Sequence, residues 1–284
     1  MAHVRIITDV TATLTQEVID RYKIAVLPVD VAFGDEVFTV RRDADRDRLL
    51  ERMANEPARP ASTTIPAARF QQMYAELARE AGEILVLVAA RALSGAFDQA
   101  RAAAQEFLGR SRIVVMDTMA TSWGLGLVVE VAAKLAAQGT PLDEVVRRVR
   151  GILPHIYFAF FVERLDYLER GGRLDAAQAL LGSMLRIKAL LLMEDGDIVP
   201  LEKVRTRTQA IEKLVDFVAE FAQIERVVLL RSPIDNEVNE LIDDLRRELL
   251  LIFPKREFRE LEYDVILAAH MGPEAIGVMV YEGE

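Results

Sequence analysis

Cysteine is absent from the 284 residues, which removes disulfides, thiolate catalysis and cysteine-ligated metals together. Histidine is scarce: there are three, and neither HExxH nor another histidine–carboxylate ligand spacing occurs, so no metal site is expected. Basic residues are the minority, 35 against 45 acidic, and the net charge of −10 disfavours a broad electrostatic footprint for nucleic acid or an anionic membrane. Apolar runs stop short of the roughly 18 to 20 residues that a bilayer span needs, so no integral membrane segment is expected. The opening MAHVRIITDV lacks the apolar stretch of a signal peptide, and cytoplasmic residence is the default expectation.

What is there describes an ordinary folded chain: 51% hydrophobic and 28% charged residues. The length exceeds a typical single domain and predicts two, divided as 1–153 and 154–284. In the first part, short apolar strands (Val4 to Thr8, Ile84 to Ala89, Arg112 to Met116) alternate with helical patterns (Ala67 to Glu80, Ala96 to Leu108, Thr121 to Gln138). That alternation predicts an α/β domain with a parallel sheet covered on both faces. The texture changes near Pro154. Ile156 to Val162 is apolar and aromatic, and Ile187 to Met193 and Ile198 to Leu201 flank EDGD, where Asp195-Gly196 suits a tight hairpin. Helices at Thr208 to Phe221 and Glu237 to Leu250, with strands near Arg226 to Leu230, Tyr263 to Ala268 and Gly277 to Tyr281, predict an α+β domain with a largely antiparallel sheet.

Polar groups gather in the loops after strands. Ser62, Thr63 and Thr64 lie between Pro60 and Pro66 ahead of a helical pattern. They are either anion donors beside free helix amides or a helix cap. Asp9 and Thr11 follow the first strand, where open α/β sheets place their ligand crevice; Asp9 either accepts neighbouring donors or caps the next helix. Ser94 and Gly95 follow a later strand, with Ser94 as an anion donor and Gly95 permitting close backbone approach. Thr118 and Ser122 extend the polar set, and Arg91 adds a carboxylate partner if it turns inward. His270, read as part of a loop between two apolar strands, suits carboxylate binding or proton relay, with a satisfied core histidine as the alternative. Arg170 and Arg173 around paired glycines, and Lys203 and Arg205 at period-two spacing, are candidate partner-docking cations.

Taken together, TDVTATL, the Ser62 to Phe70 loop-helix entry, LSGAFDQA, DTMATSWGLG, LDYLERGGRL, LLGSMLRIKALL, the downstream KVRT and HMGPEAIGV resemble the DegV family of bacterial fatty-acid-binding proteins along nearly the whole chain. The resemblance implies a two-domain carrier enclosing a long-chain fatty acid between its domains. It implies carboxylate binding by the Ser62 to Thr64 loop and Ser94, with His270 nearby. It also implies no covalent chemistry by the chain itself, no cofactor beyond the bound acid, and, in some relatives, presentation of that acid to a separate ATP-dependent fatty-acid kinase. Departures exist: the family's Thr-Ser-Gln-Pro-Ser loop appears as Ser62-Thr63-Thr64-Ile65-Pro66, and its Ser-Ser before LSGT as Ala90-Arg91. Candidate walls for the acyl chain are Phe158, Phe160, Leu185, Ile187, Leu190, Ile266 and Met271. Two other functions compete with the carrier: an acyl hydrolase using Ser94, His270 and Asp9, and a protein-interaction or regulatory module docking through its arginines.

Overall fold

Short strands that are apolar along their whole length need cover on both faces. The computed structural model describes residues 4–41, 44–56, 60–170, 172 and 188–283, without the side chains of 44–47, 54 and 170. The chain forms two compact units, one of Met1–Val31, Val37–Asp45 and Thr63–Pro154, the other of Ala32–Glu36, Arg46–Ser62 and His155–Glu284. A division at 153/154 therefore leaves out two excursions of the early chain, 32–36 and 46–62. They hold to each other locally: the Arg52 guanidinium lies 4.4 Å from the centre of the Phe33 ring and 3.3 Å from the Glu36 carboxylate.

In the first unit, β1 (Val4–Asp9), β2 (Ala25–Leu27), β6 (Glu83–Val88) and β7 (Arg112–Asp117) form one sheet in the order β2-β1-β6-β7, with every ladder parallel. Five of the six residues of β6 are buried. The cover comes from two helix groups: α3 (Ala67–Leu77) packs with α4 (Ala96–Ala104), while α5 (Ser122–Ala137) packs with α1 (Gln16–Tyr22) and α6 (Leu142–Ile152). The strands β3 (Val29–Phe33), β4 (Glu36–Val40) and β5 (Ala61–Ser62) form a small sheet in the order β4-β3-β5, and α2 (Ala44–Asn55), which from Arg46 on belongs to the second unit, buries Leu49, Leu50 and Met53.

The second unit is built on β8 (Ile156–Val162), β9 (Lys188–Glu194), β10 (Asp197–Val204), β11 (Arg226–Arg231), β12 (Phe258–Glu262) and β13 (Ile276–Tyr281), ordered β10-β9-β8-β13-β11-β12. Neighbours are antiparallel except β11 and β12, which run parallel. The β9–β10 hairpin turns at Asp195 and Gly196, with φ of 50° and 89°, the left-handed pair that a two-residue hairpin favours. The short helix α7 (Asp166–Arg170) follows β8, and helices α8 (Arg207–Ala219) and α9 (Asn236–Ile252) cover one face, where Phe161, Leu190, Leu229 and Val278 meet Leu214, Val218, Ile242 and Leu245. The fold is thus the expected pairing of a parallel α/β part with an antiparallel-rich α+β part. One strand is corrected: Tyr263 to Ala268 does not extend, because Asp264 accepts from the amides of Ile266 (2.8 Å) and Leu267 (2.9 Å) and starts α10 (Val265–Met271).

Past β8, Glu163 joins the sheet to α8 by hydrogen bonds from Lys188 and from Arg207 Nε at 2.6 Å. Burial works to raise this carboxyl, but the bonds from Lys188 and Arg207 outweigh it and hold its pKa below the ordinary 4.5. The stability this contributes is present above pH 4.5 and is lost as pH falls through the depressed folded value. Glu163→Gln is expected to cost about 1 to 2 kcal/mol at neutral pH, with the partly exposed cations limiting the loss. Chemical unfolding at pH 7 and at pH 3 reads the difference: the gap between wild type and variant closes at the lower pH.

Candidate functional site

Helix α10 brings His270 to the strand pair that contains β5. Its Nε2 lies 2.8 Å from Ser62 Oγ, both side chains being half-buried within the second unit. The pair has a directional choice. With the proton on Nε2, the imidazole donates to Ser62 Oγ and leaves the hydroxyl proton to donate onward to an anion. With Nε2 unprotonated, that hydroxyl proton is consumed by the ring. Only the first arrangement is a chain of donors ending in a carboxylate site, and each bond in such a chain polarises the next.

The rest of the triplet belongs to the first unit. Thr63 is exposed; its amide donates to Asp30 O at 2.7 Å and its hydroxyl to the same carbonyl at 3.2 Å. Thr64 is exposed and lies against Gly95, where an added Cβ would come within 2.9 Å of Thr64 Oγ1 and Cγ2. The triplet does not cap α3: the N-cap is Pro66, and the Ala67 amide donates to Gln99 Oε1 at 3.1 Å. Ser94 follows at the turn into α4, its oxygen accepting from the Ala96 amide at 3.3 Å. The structure therefore sets Thr64 beside Gly95 and Ser62 beside His270 as two separate local arrangements.

The further polar candidates each have local partners at the strand ends. Asp9 is buried, accepting from the Thr11 amide (2.9 Å) and hydroxyl and from the Ala89 amide (3.4 Å). Burial raises its carboxyl above the ordinary range against the opposing bonds from Thr11 and Ala89. These contacts tie the end of β1 to the end of β6, from which the Ser94 loop departs. Thr118 donates to Val88 O at 2.8 Å, and Ser122 Oγ pairs with Thr13 Oγ1 at 3.2 Å, so both serve strand-end packing. Arg91 does not turn inward: its side chain is 58% exposed and is bonded to Asp98 at 2.9 Å.

The wall candidates divide by sheet face. Phe158 and Phe160 are buried and stacked, ring centres 4.8 Å apart, on the face opposite Ala159 and Phe161. Leu190 is a correction, because it pairs with Phe161 and is packed in the core beneath α8 and α9. Ile266 and Met271 are buried on α10, whereas Leu185, Ile187 and Arg173 lie outside the described residues, as does the Arg170 side chain. Lys203 and Arg205 are exposed at the edge of the sheet.

Comparison with known proteins decides the kinship. The DegV family model, described as "Uncharacterised protein, DegV family", matches residues 3–283. The chain belongs to the DegV family. A DegV domain-containing protein of Streptomyces coelicolor is 34% identical to it, covering 98% of both chains. The structure of a DegV family protein from Thermus thermophilus, described for its fatty-acid binding, is 29% identical with a TM-score of 0.85 and full coverage of both chains. A DegV family protein from Streptococcus agalactiae, described as fatty acid binding, shares the fold at a TM-score of 0.90 and 22% identity, again with full coverage of both.

Within this DegV chain Ser94, His270 and Asp9 each have a local hydrogen-bond partner. Ser94 Oγ serves Ala96, His270 Nε2 serves Ser62, and the Asp9 oxygens serve Thr11 and Ala89. Among the described residues no cluster of histidine, aspartate and glutamate could hold a metal, and no helix is long and apolar enough to cross a membrane. The residues that fix α10 differ from those expected of a strand. The signal of this helix was available in the capping aspartate Asp264, the short run VILAAHM and the stop at Gly272, a helix start and end that the apolar composition disguised as a strand.

Proposed function

We propose that this DegV family member is a non-enzymatic carrier of a long-chain free fatty acid, working in the cytoplasm. The observation that carries the reading is the Ser62–His270 pair, which offers a hydroxyl donor backed by an imidazole in a chain 29% identical to the Thermus thermophilus protein described for fatty-acid binding. The carboxylate is assigned to that pair. Thr63, Thr64, Ser94 and Gly95 are the first unit's candidate head-group residues, and Phe158, Phe160, Ile266 and Met271 are candidates for the tail. Each methylene removed from water contributes about 0.8 kcal/mol, so the tail supplies most of the affinity while the donors orient the head and offset its desolvation. In the same reading the acid is presented to a separate ATP-dependent fatty-acid kinase, with the exposed Lys203 and Arg205 as docking cations.

Native mass spectrometry of the purified protein, followed by lipid extraction, is the direct test. A fatty acid bound in one-to-one ratio, or saturable stearate uptake after delipidation, is the expected result. A protein that stays empty and takes up no acid at any chain length removes the proposal.

A further inference from the structure

Tyr263 is fully buried and performs no role assigned so far. It sits directly before the residue that caps α10, yet its hydroxyl reaches past the other end of that helix. It donates to Gly272 O at 3.0 Å, with Ala275 O at 3.2 Å sharing the proton. Burial pushes its phenol pKa up, with the buried Ser232 side chain opposing the rise. The Tyr263 hydroxyl thus grips the two carbonyls that follow His270.

The segment it grips leaves little slack. Gly272 has φ of 86°, and a Cβ there would come within 2.9 Å of the Tyr167 ring, so the chain passes flush against that ring in a conformation that suits glycine. Helix α10 has only seven residues, too few to hold an orientation by its own hydrogen bonds. It is therefore fastened from outside at both ends, by Asp264 at the first turn and by Tyr263 beyond the last. His270 stands two residues before Gly272.

We infer that Tyr263 is a positioning residue for the head-group site: its hydroxyl, by donating to the carbonyls of Gly272 and Ala275, fixes the end of α10 so that His270 Nε2 meets Ser62 Oγ. This rests on the fatty-acid reading only for its consequence in binding, since the effect on the imidazole is present without ligand. Removing the hydroxyl lets the 272–275 turn and the last turn of α10 shift, and the Nε2–Oγ bond lengthens or breaks. No proton passes between Tyr263 and His270 in this arrangement.

The test uses the full-length, delipidated protein labelled with 15N-histidine, with the His270 resonances assigned by comparison with His270→Gln. In Tyr263→Phe, which keeps the ring, the Nε2 resonance and its pH profile are expected to move toward those of Ser62→Ala. Stearate affinity should fall about 3- to 10-fold while stearyl alcohol affinity holds. A folded Tyr263→Phe protein whose His270 spectrum and pH profile match wild type overturns the proposal. If Tyr263→Phe does not fold, Gly272→Ala takes its place, because it displaces the same turn from the Tyr167 ring; a shift of the His270 Nε2 resonance is expected and an unmoved spectrum overturns the proposal. Failure of the fatty-acid reading looks different: no stearate binds to wild type, whatever the imidazole spectrum does.

Discussion

On the fatty-acid reading, Ser62→Ala is expected to weaken stearate binding by about 10- to 100-fold and to leave binding of stearyl alcohol nearly unchanged. The magnitude follows from one hydrogen-bonding partner of a charged head group, worth about 1.5 to 3 kcal/mol, with each 1.4 kcal/mol a factor of ten. The alcohol is the control because it keeps the tail and loses the charge. His270→Ala is expected to act in the same direction and more weakly, since the Ser62 hydroxyl keeps its proton for the carboxylate and loses only the polarising bond from the imidazole 2.8 Å away. His270 is only half-buried, so folding stability should change by less than about 1 kcal/mol. Isothermal titration with both ligands decides the matter. Equal losses for acid and alcohol would mean that Ser62 and His270 are packing residues and that the head group lies elsewhere.

Ser62 and His270 were both recognisable as chemistry-bearing residues, but their partnership was not. They are 208 positions apart in the chain, and nothing local in either loop encodes the other. The triplet's hydroxyls looked equivalent, whereas the structure gives them different work: Ser62 meets His270, Thr63 satisfies Asp30 O and Thr64 lies against Gly95. Leu190 shows the same limit from the apolar side. Its composition suits a lined tunnel and a filled core equally, and only the pairing register with Phe161 places it under α8 and α9.

The parallel sheet was legible because β1, β6 and β7 are continuous apolar runs set off by helix-length segments with a different period. β12 escaped notice because FRELE is short and polar as well as apolar; it is held as an edge strand by its parallel ladder to β11. α10 was misread for the opposite reason. VILAAHM is too short and too apolar for periodicity to separate helix from strand, and the capping carboxylate of Asp264 decides it. The excursions 32–36 and 46–62 were invisible to any division by sequence position, since the cation–ring contact of Arg52 with Phe33 depends on folded proximity.

Gly126→Ala is expected to be among the most damaging small substitutions in the first unit. A Cβ at this position would stand 2.4 Å from Thr13 O and 3.0 Å from Thr13 C, and the obstacle is backbone, which has no rotamer to yield. The junction is already committed on both sides: Thr13 N donates to Ser122 O at 3.1 Å, the two hydroxyls pair, and Ser122 itself is held at φ of 51°. Helix α5 must move away from the loop that follows β1, and those contacts stretch with it. Overpacking costs about 1 to 3 kcal/mol where side chains can adjust, and a rigid carbonyl pushes the loss to the upper end or beyond. Alanine returns up to about 1 kcal/mol of helix propensity, so a net loss of about 3 kcal/mol implies a fall in melting temperature of about 6 to 12 °C. Gly82 is the matched control, with nothing within 4 Å of an added Cβ, and Gly82→Ala should stay within about 0.5 kcal/mol. The disturbance also reaches the strand ends, because the loop that α5 presses on is continuous with Asp9, whose contacts with Thr11 and Ala89 tie the end of β1 to the end of β6. Thermal unfolding of the two variants in parallel gives the answer: if Gly126→Ala melts with Gly82→Ala, the close approach of α5 to Thr13 is not what holds this corner together.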